Sequence, residues 1–128
     1  MALKRSLTVL LPVRDAQSTL VATVAQVLEM ASDLNERFEL LIIDDGSSDA
    51  TSEVVHELSR YYPQIRTIRH SKPLGEEAAL RTGFTQSRGD VVFVRGGRSL
   101  TFERLSWTSQ PVRPNYLGRA RTFAREGL

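Results

Sequence analysis

Cysteine is absent from the 128 residues. That excludes a disulfide framework, a thiolate metal site and a cysteine nucleophile. A reducing, cytoplasmic setting is compatible with this composition and is the expected location. Histidine is scarce: His56 falls within a helical pattern and His70 at the end of a strand pattern. The two share no metal-ligand spacing, and both are expected to be structural. Gly96-Gly97 is not followed by Gly-Lys-Ser/Thr, so it is not a Walker loop. The apolar stretch near the N-terminus, Leu7 to Val13, is too short to span a membrane and contains Pro12. It also lacks a small-residue cleavage site, so it reads as a strand and not as a signal peptide. No transmembrane segment and no internal repeat is expected. Beyond Trp107, itself expected to pack, the arginine-rich sequence has few interleaved aromatics, Tyr116 and Phe123. Nucleic acid is therefore not an expected partner.

What is present fits one soluble-type globular domain, with 41% hydrophobic and 25% charged residues. The net charge of +2 hides an asymmetry. Residues 1–60 carry five Lys/Arg against ten Asp/Glu, and residues 61–128 carry twelve against five. Fifteen of the seventeen basic residues are arginine, the cation that makes bidentate contacts to phosphate and carboxylate. For most of them a solvated basic face is the expected role.

The chain is organised around Leu40-Leu41-Ile42-Ile43-Asp44-Asp45-Gly46-Ser47-Ser48-Asp49. An unbroken apolar run of this length reads as a strand buried on both faces, as in a parallel sheet covered by helices. Asp44 and Asp45 then stand at the strand's carboxyl end, where ligands bind in open parallel sheets. Gly46 permits a tight turn, and Ser48 or Asp49 can cap the helix that follows. The same residues are also ordinary turn and cap chemistry.

In order, Leu7–Leu11 predicts a first strand ended by Pro12. Leu20, Val24, Val27, Leu28 and Ala31 recur at helical spacing after the polar start Arg14–Ser18. Phe38–Ile43 is the second strand. Ala50 to about Tyr61 is the second helix, with Val54, Val55, Leu58 and Tyr61 inward and Pro63 closing it. Ile65–Arg69 is a weaker strand, His70–Gly75 a loop, and Glu76 to about Ser87 a third helix with an acidic first turn. Val91–Val94 is the fourth strand, running into Arg95-Gly96-Gly97-Arg98. Thr101–Leu105 is expected to open a short helix. The alternation predicts a doubly wound α/β fold with a mostly parallel sheet of order about 3-2-1-4 and helices on both faces. The expected organisation is a domain over 1–106 and an arginine-rich extension over 107–128. The bare edge of the fourth strand is expected to be covered by that extension, or to meet a second subunit, making a homo-oligomer.

Four pieces occur together: Thr8–Val13, Leu41–Asp49, Gly75-x-x-Ala78-Ala79-Leu80-x-x-Gly83 and Arg88–Phe93. In this order and spacing they resemble the nucleotide-sugar-binding half of family 2 glycosyltransferases, inverting enzymes of the GT-A fold. The nearest flavour is the group that glycosylates polyprenyl phosphates. The resemblance covers about residues 6–105. It implies that Pro12, Val13, Asp15, Asp45 and Gly46 line a nucleotide site, with Asp45 accepting from the base and Asp44 serving the strand end. Asp45→Ala is then expected to weaken nucleotide binding and leave the melting temperature nearly unchanged.

The departures from the family pattern are specific. The first loop reads Pro12-Val13-Arg14-Asp15-Ala16, without the aromatic that packs on the base. Glu76 stands where lysine is frequent. The fourth strand leads into Arg95-Gly96-Gly97 where the family has Asp-x-Asp, the pair that holds a divalent cation. No metal site is expected, because a hard cation needs oxygen ligands. Arg95, Gly96, Gly97 and Arg98 are instead expected to meet a diphosphate. After Asp90 only Glu103 and Glu126 carry carboxylates, and neither lies in a recognisable acceptor motif. No catalytic residue is assigned. Three readings follow: a degenerate domain keeping a nucleotide or nucleotide-sugar pocket or acting as an interaction module, an active metal-independent transferase, and a fold whose pocket binds nothing.

Overall fold

A computed structural model of the chain describes residues 6–34, 37–89, 91–95 and 99–103. Eight elements follow in chain order: β1 (Leu7–Val13), α1 (Leu20–Leu34), β2 (Phe38–Asp45), α2 (Thr51–Tyr61), β3 (Ile65–His70), α3 (Glu76–Gln86), β4 (Val91–Arg95) and β5 (Ser99–Glu103). They form one sheet of order β3-β2-β1-β4-β5. The first four strands are parallel and have the expected order.

Strand alternation divides the core into two layers. Leu7, Val9, Leu11, Leu40 and Ile42 point to one face and pack against Leu20, Val24, Val27 and Ala31 of α1 and Val55 of α2. Leu10, Leu41, Ile43, Val92 and Val94 point to the other and meet Ala79, Leu80 and Phe84 of α3. The chain steps outward from β1 to β3, then crosses back over the sheet to β4. A right-handed crossover in the reversed direction must lie on the opposite face, which is where α3 lies. β2 is buried from both sides, with Leu40 to Ile43 fully inaccessible. Each such side chain contributes about 1.5–3 kcal/mol relative to an exposed one.

Three expectations are corrected. β1 runs through Pro12 to Val13, in register with Ile43 and Asp44. The Leu7 amide bonds toward β2, at Arg37 O, so alternation turns the Pro12 nitrogen toward β4. The β1–β4 ladder ends at Leu10↔Val94, so the missing N–H of Pro12 costs no ladder bond. Second, Thr101–Glu103 belongs to a strand, not a helix. β5 pairs antiparallel with β4 from Val91↔Glu103 to Arg95↔Ser99. It covers the β4 edge that the 107–128 extension or a second subunit was expected to cover. Third, Tyr61 is 77% exposed, and Tyr62 is the tyrosine packed against the core. The two rings meet edge to face, with centroids 4.9 Å apart. The expected boundary at 106 and the extension over 107–128 lie outside the described residues.

At the amino ends of the strands a polar knot joins three strands to the α3–β4 turn. Thr8 Oγ1 donates to Glu39 Oε2 at 2.6 Å, and Arg66 Nε donates to Glu39 Oε1 at 2.8 Å. The Arg88 amide reaches Glu39 Oε2 at 2.8 Å, and the Gly89 amide reaches Thr8 Oγ1 at 2.8 Å. Burial raises the Glu39 pKa, but the bonds from Arg66, Thr8 and the Arg88 amide outweigh it and hold the group below its ordinary value.

Candidate functional site

At the carboxyl ends of β1 and β2 the chain makes two turns that exchange hydrogen bonds across more than thirty residues. The Asp15 amide donates to Ser47 Oγ at 2.8 Å, and the Ala16 amide to Thr51 Oγ1 at 2.7 Å. In return the Ser48 amide donates to Asp15 Oδ1 at 2.8 Å, and the Ala50 amide to Gln17 Oε1 at 3.1 Å. Asp15 adopts φ 51° to reach this geometry, a conformation in which Asp is among the less costly non-glycine residues. Asp49 Oδ1 accepts the Thr51 amide at 2.8 Å. The N-cap position of α2 is Ala50, which makes no side-chain cap bond, so the cap expected of Ser48 or Asp49 is not formed; Asp49 instead bonds from the residue before it. The two loops form a single wall.

The two carboxylates of β2 part company because neighbouring strand residues face opposite ways. Asp44 shares the face of Ile42 and lies opposite Arg69 in β3; Asp45 shares the face of Ile43 and lies opposite His70. Asp44 Oδ1 accepts the Ser47 amide at 3.1 Å, closing the turn. Its Oδ2 is buried without a hydrogen-bond partner, 3.9 Å from Arg69 Nε. Arg69 spends its other nitrogens on Ser52 Oγ at 2.8 Å and on Ser47 O at 3.2 Å.

Asp45 is 4% exposed. Its Oδ1 contacts His70 Nδ1 at 2.8 Å and accepts the Leu74 amide at 2.9 Å; its Oδ2 accepts the Gly75 amide at 2.8 Å. Burial raises the Asp45 pKa, but the Leu74 amide, His70 and the Gly75 amide prevail and leave it below its ordinary value. The loop after β3 is thereby pulled over the end of β2. It comes so close to Gly46 that a Cβ there would stand 2.4 Å from the Lys72 carbonyl carbon and 2.5 Å from the Pro73 nitrogen. Gly46 also has φ 68°. Conformation and space both demand glycine.

Pro12 is half-buried and Val13 buried, at the same level of the sheet as Ile43 and Asp44. Pro12, Val13, Asp15, Asp45 and Gly46 therefore gather at one end of the sheet. Arg95 is half-buried, and its Nη2 lies 3.3 Å from Gln26 Oε1 on α1. Its side chain thus turns to the α1 face, whereas Asp45 turns to the α3 face. Gly96, Gly97 and Arg98 lie outside the described residues. The family's divalent cation does not fit what is here. Arginine and glycine side chains offer it no oxygen at the end of β4, and no group of three His, Asp or Glu able to hold a metal occurs among the described residues.

Sequence reasoning passed over His70, Arg69, Thr51 and the Leu74 and Gly75 amides as parts of this site. A usable signal existed. Once β3 is placed beside β2 with their carboxyl ends level, Asp44-Asp45 must face Arg69-His70.

The model of glycosyl transferase family 2 matches residues 8–94. A dolichyl-phosphate beta-glucosyltransferase of Trichomonas vaginalis is 36% identical over 73 residues, covering 56% of this chain and 22% of that protein. An undecaprenyl-phosphate 4-deoxy-4-formamido-L-arabinose transferase of Aeromonas hydrophila is 27% identical over 85 residues, covering 66% of this chain and 26% of that protein. Among solved structures, a mannosyltransferase from Pyrobaculum calidifontis in complex with GDP-Man and Mn2+ superposes with a TM-score of 0.65 at 18% identity. It covers 73% of this chain and 28% of that one. TarS of S. aureus gives a TM-score of 0.60 at 17% identity, covering 71% of this chain and 27% of that one. The chain spans roughly a quarter of the length of these relatives.

Proposed function

The chain belongs to glycosyl transferase family 2, and on that premise we propose that it binds a nucleotide or nucleotide-sugar in the crevice at the carboxyl ends of β1 and β2, without a divalent metal. The observation that carries this reading is the wall itself. Two loops are laced together by reciprocal bonds between Asp15–Gln17 and Ser47–Thr51, and the 72–75 loop is drawn against Gly46. Such a laced rim at the carboxyl ends of a parallel sheet, beside the switch point between β1 and β4, is a place for a ligand.

Pro12, Val13, Asp15 and Gly46 form the rim against which base and ribose lie. Asp45 supplies the acceptor for a base N–H. An ionised carboxylate has about four acceptor positions, and three internal donors fill three of them. The open one is on Oδ2. The diphosphate falls to the stretch Arg95-Gly96-Gly97-Arg98. Since Arg95 is turned onto α1, Arg98 is the guanidinium assigned to phosphate, with the two glycines letting backbone amides come close. With fixed positive charge in place of a cation and no carboxylate in that stretch, the domain is a binding module and not a transferase on its own. No helix among the described residues is long and apolar enough to cross a membrane, and a cytoplasmic setting suits the cysteine-free sequence.

Amide NMR during titration with uridine and guanosine diphosphates tests the site. Shifts concentrated at residues 12–15, 44–47 and 74–75 are the expected result. Shifts scattered over the basic surface, or none, would refute it.

A further inference from the structure

His70 does more than end β3. Its side chain is nine-tenths buried, with Nδ1 2.8 Å from Asp45 Oδ1 and Nε2 2.9 Å from Thr82 Oγ1 on α3. Nδ1 faces a carboxylate that has no proton to give, so Nδ1 carries the hydrogen. In the neutral ring Nε2 is then the acceptor, and Thr82 donates to it. A half-buried hydroxyl on one element thus fixes the tautomer and plane of an imidazole on a second, which fixes a carboxylate on a third. The same carboxylate receives the Leu74 and Gly75 amides.

Resting on the nucleotide reading above, we infer that His70 is the positioning residue that sets base discrimination at this site, with Thr82 orienting it. His70 does not touch the nucleotide. Without it Asp45 keeps only the Leu74 amide on Oδ1 and the Gly75 amide on Oδ2, both from one loop, so the carboxylate turns and shifts with that loop and is no longer braced by α3. The open acceptor position on Oδ2 then no longer points one way. A fixed acceptor accepts from a base that presents an N–H at one place and rejects one that presents a lone pair there. A turning acceptor tells them apart poorly. The signal is discrimination between bases, not affinity for the diphosphate that all of them share.

The experiment uses the full chain and His70→Ala, His70→Asn and Thr82→Val. Asn puts an amide donor near the former Nδ1. Two quantities are read: hydrogen exchange at the Leu74 and Gly75 amides without ligand, and dissociation constants for uridine, cytidine, guanosine and adenosine diphosphates. The expected result is faster exchange at both amides in His70→Ala. The ratio between the best and worst nucleotide should shrink by about two- to tenfold, the worth of one hydrogen bond. His70→Asn should restore most of the ratio, and Thr82→Val should shrink it less than His70→Ala. A merely structural role would weaken all four nucleotides alike and leave the ratio intact. Wild-type protein that discriminates, with ratios unchanged in His70→Ala and Thr82→Val, overturns the positioning role alone. If His70→Ala does not fold, Thr82→Val decides. Wild-type protein that binds none of the four overturns the nucleotide reading, and the discrimination role with it.

Discussion

Gly46 lies beneath Pro73 so closely that a Cβ on Gly46 would come within 2.5 Å of the Pro73 nitrogen. This approach brings together the turn after β2 and the loop after β3, which are separated by the whole of α2 and β3. Gly46→Ala is therefore expected to be among the most damaging single-methyl changes in the domain. The φ of 68° alone costs a non-glycine residue about 1–2 kcal/mol, and the backbone clash adds to it. For a chain of this size each kcal/mol lowers Tm by roughly 4 °C. A melting curve within 3 °C of wild type would show that the loop gives way freely.

Asp45→Ala is expected to lower stability as well as affinity. The sequence alone suggests an unchanged melting temperature. The structure corrects that, because His70 and the Leu74 and Gly75 amides all lose their acceptor. A buried donor left unpaired costs about 1–3 kcal/mol, and water entering the gap reduces the sum. A loss of at least about 2 kcal/mol in urea unfolding is the expected outcome. A change under 0.5 kcal/mol, on the order of an ordinary surface substitution, would make Asp45 dispensable to the fold.

Acid sensitivity follows from two carboxylates held below their ordinary values. Glu39 is held down chiefly by Arg66, Thr8 and the Arg88 amide, against the opposing effect of burial; Asp45 is held down by its loop donors against the same opposition. For a depressed pKa, the stabilisation is fully present above the unfolded value, about 4.3 for Glu and 3.9 for Asp. It is lost as pH falls through the folded value. Glu39→Gln should cost about 1–3 kcal/mol at pH 7, since it removes charge-assisted bonds. The gap to wild type should narrow as pH drops below about 4. A gap that stays constant from pH 7 to pH 3 would assign the loss to packing.

Much of this arrangement was readable beforehand. The Leu40–Ile43 run announces a strand covered on both faces, and three strand–helix units constrain the order of the parallel strands. Gly46 was readable as a turn glycine from its neighbours. The polar knot was not, because Glu39 takes partners 27, 31 and 49 residues away in sequence, and nothing local marks such pairs. β5 is not legible in the sequence because Thr101-Phe102-Glu103 is too short to show its period, and its strand state depends on the open edge of β4 beside it. Pro12 reads as a terminator in the sequence because a proline in a strand is tolerated only where its missing N–H faces no ladder partner. That condition depends on the length of β4. His70 reads in the sequence only as the end of a strand, and its partner Asp45 is visible only through the β2–β3 register.

Arg95 and Arg98 are expected to separate in their effects. Arg95 is engaged with Gln26 on α1, so Arg95→Ala should leave uridine diphosphate affinity within about twofold. Arg98→Ala should lower it by about tenfold, as expected for a lost charge-assisted bond of roughly 1.5 kcal/mol, and should flatten the dependence on salt. The reverse pattern would place the diphosphate over α1.

Calorimetry of uridine and guanosine diphosphate binding, with manganese and with a chelator, tests the central claim most directly. The account predicts binding of at least one nucleotide with the same affinity under both conditions, weakening at high salt as fixed guanidinium charge is screened. Binding that tightens with manganese would contradict it, because it demands oxygen ligands that Arg95-Gly96-Gly97-Arg98 does not provide.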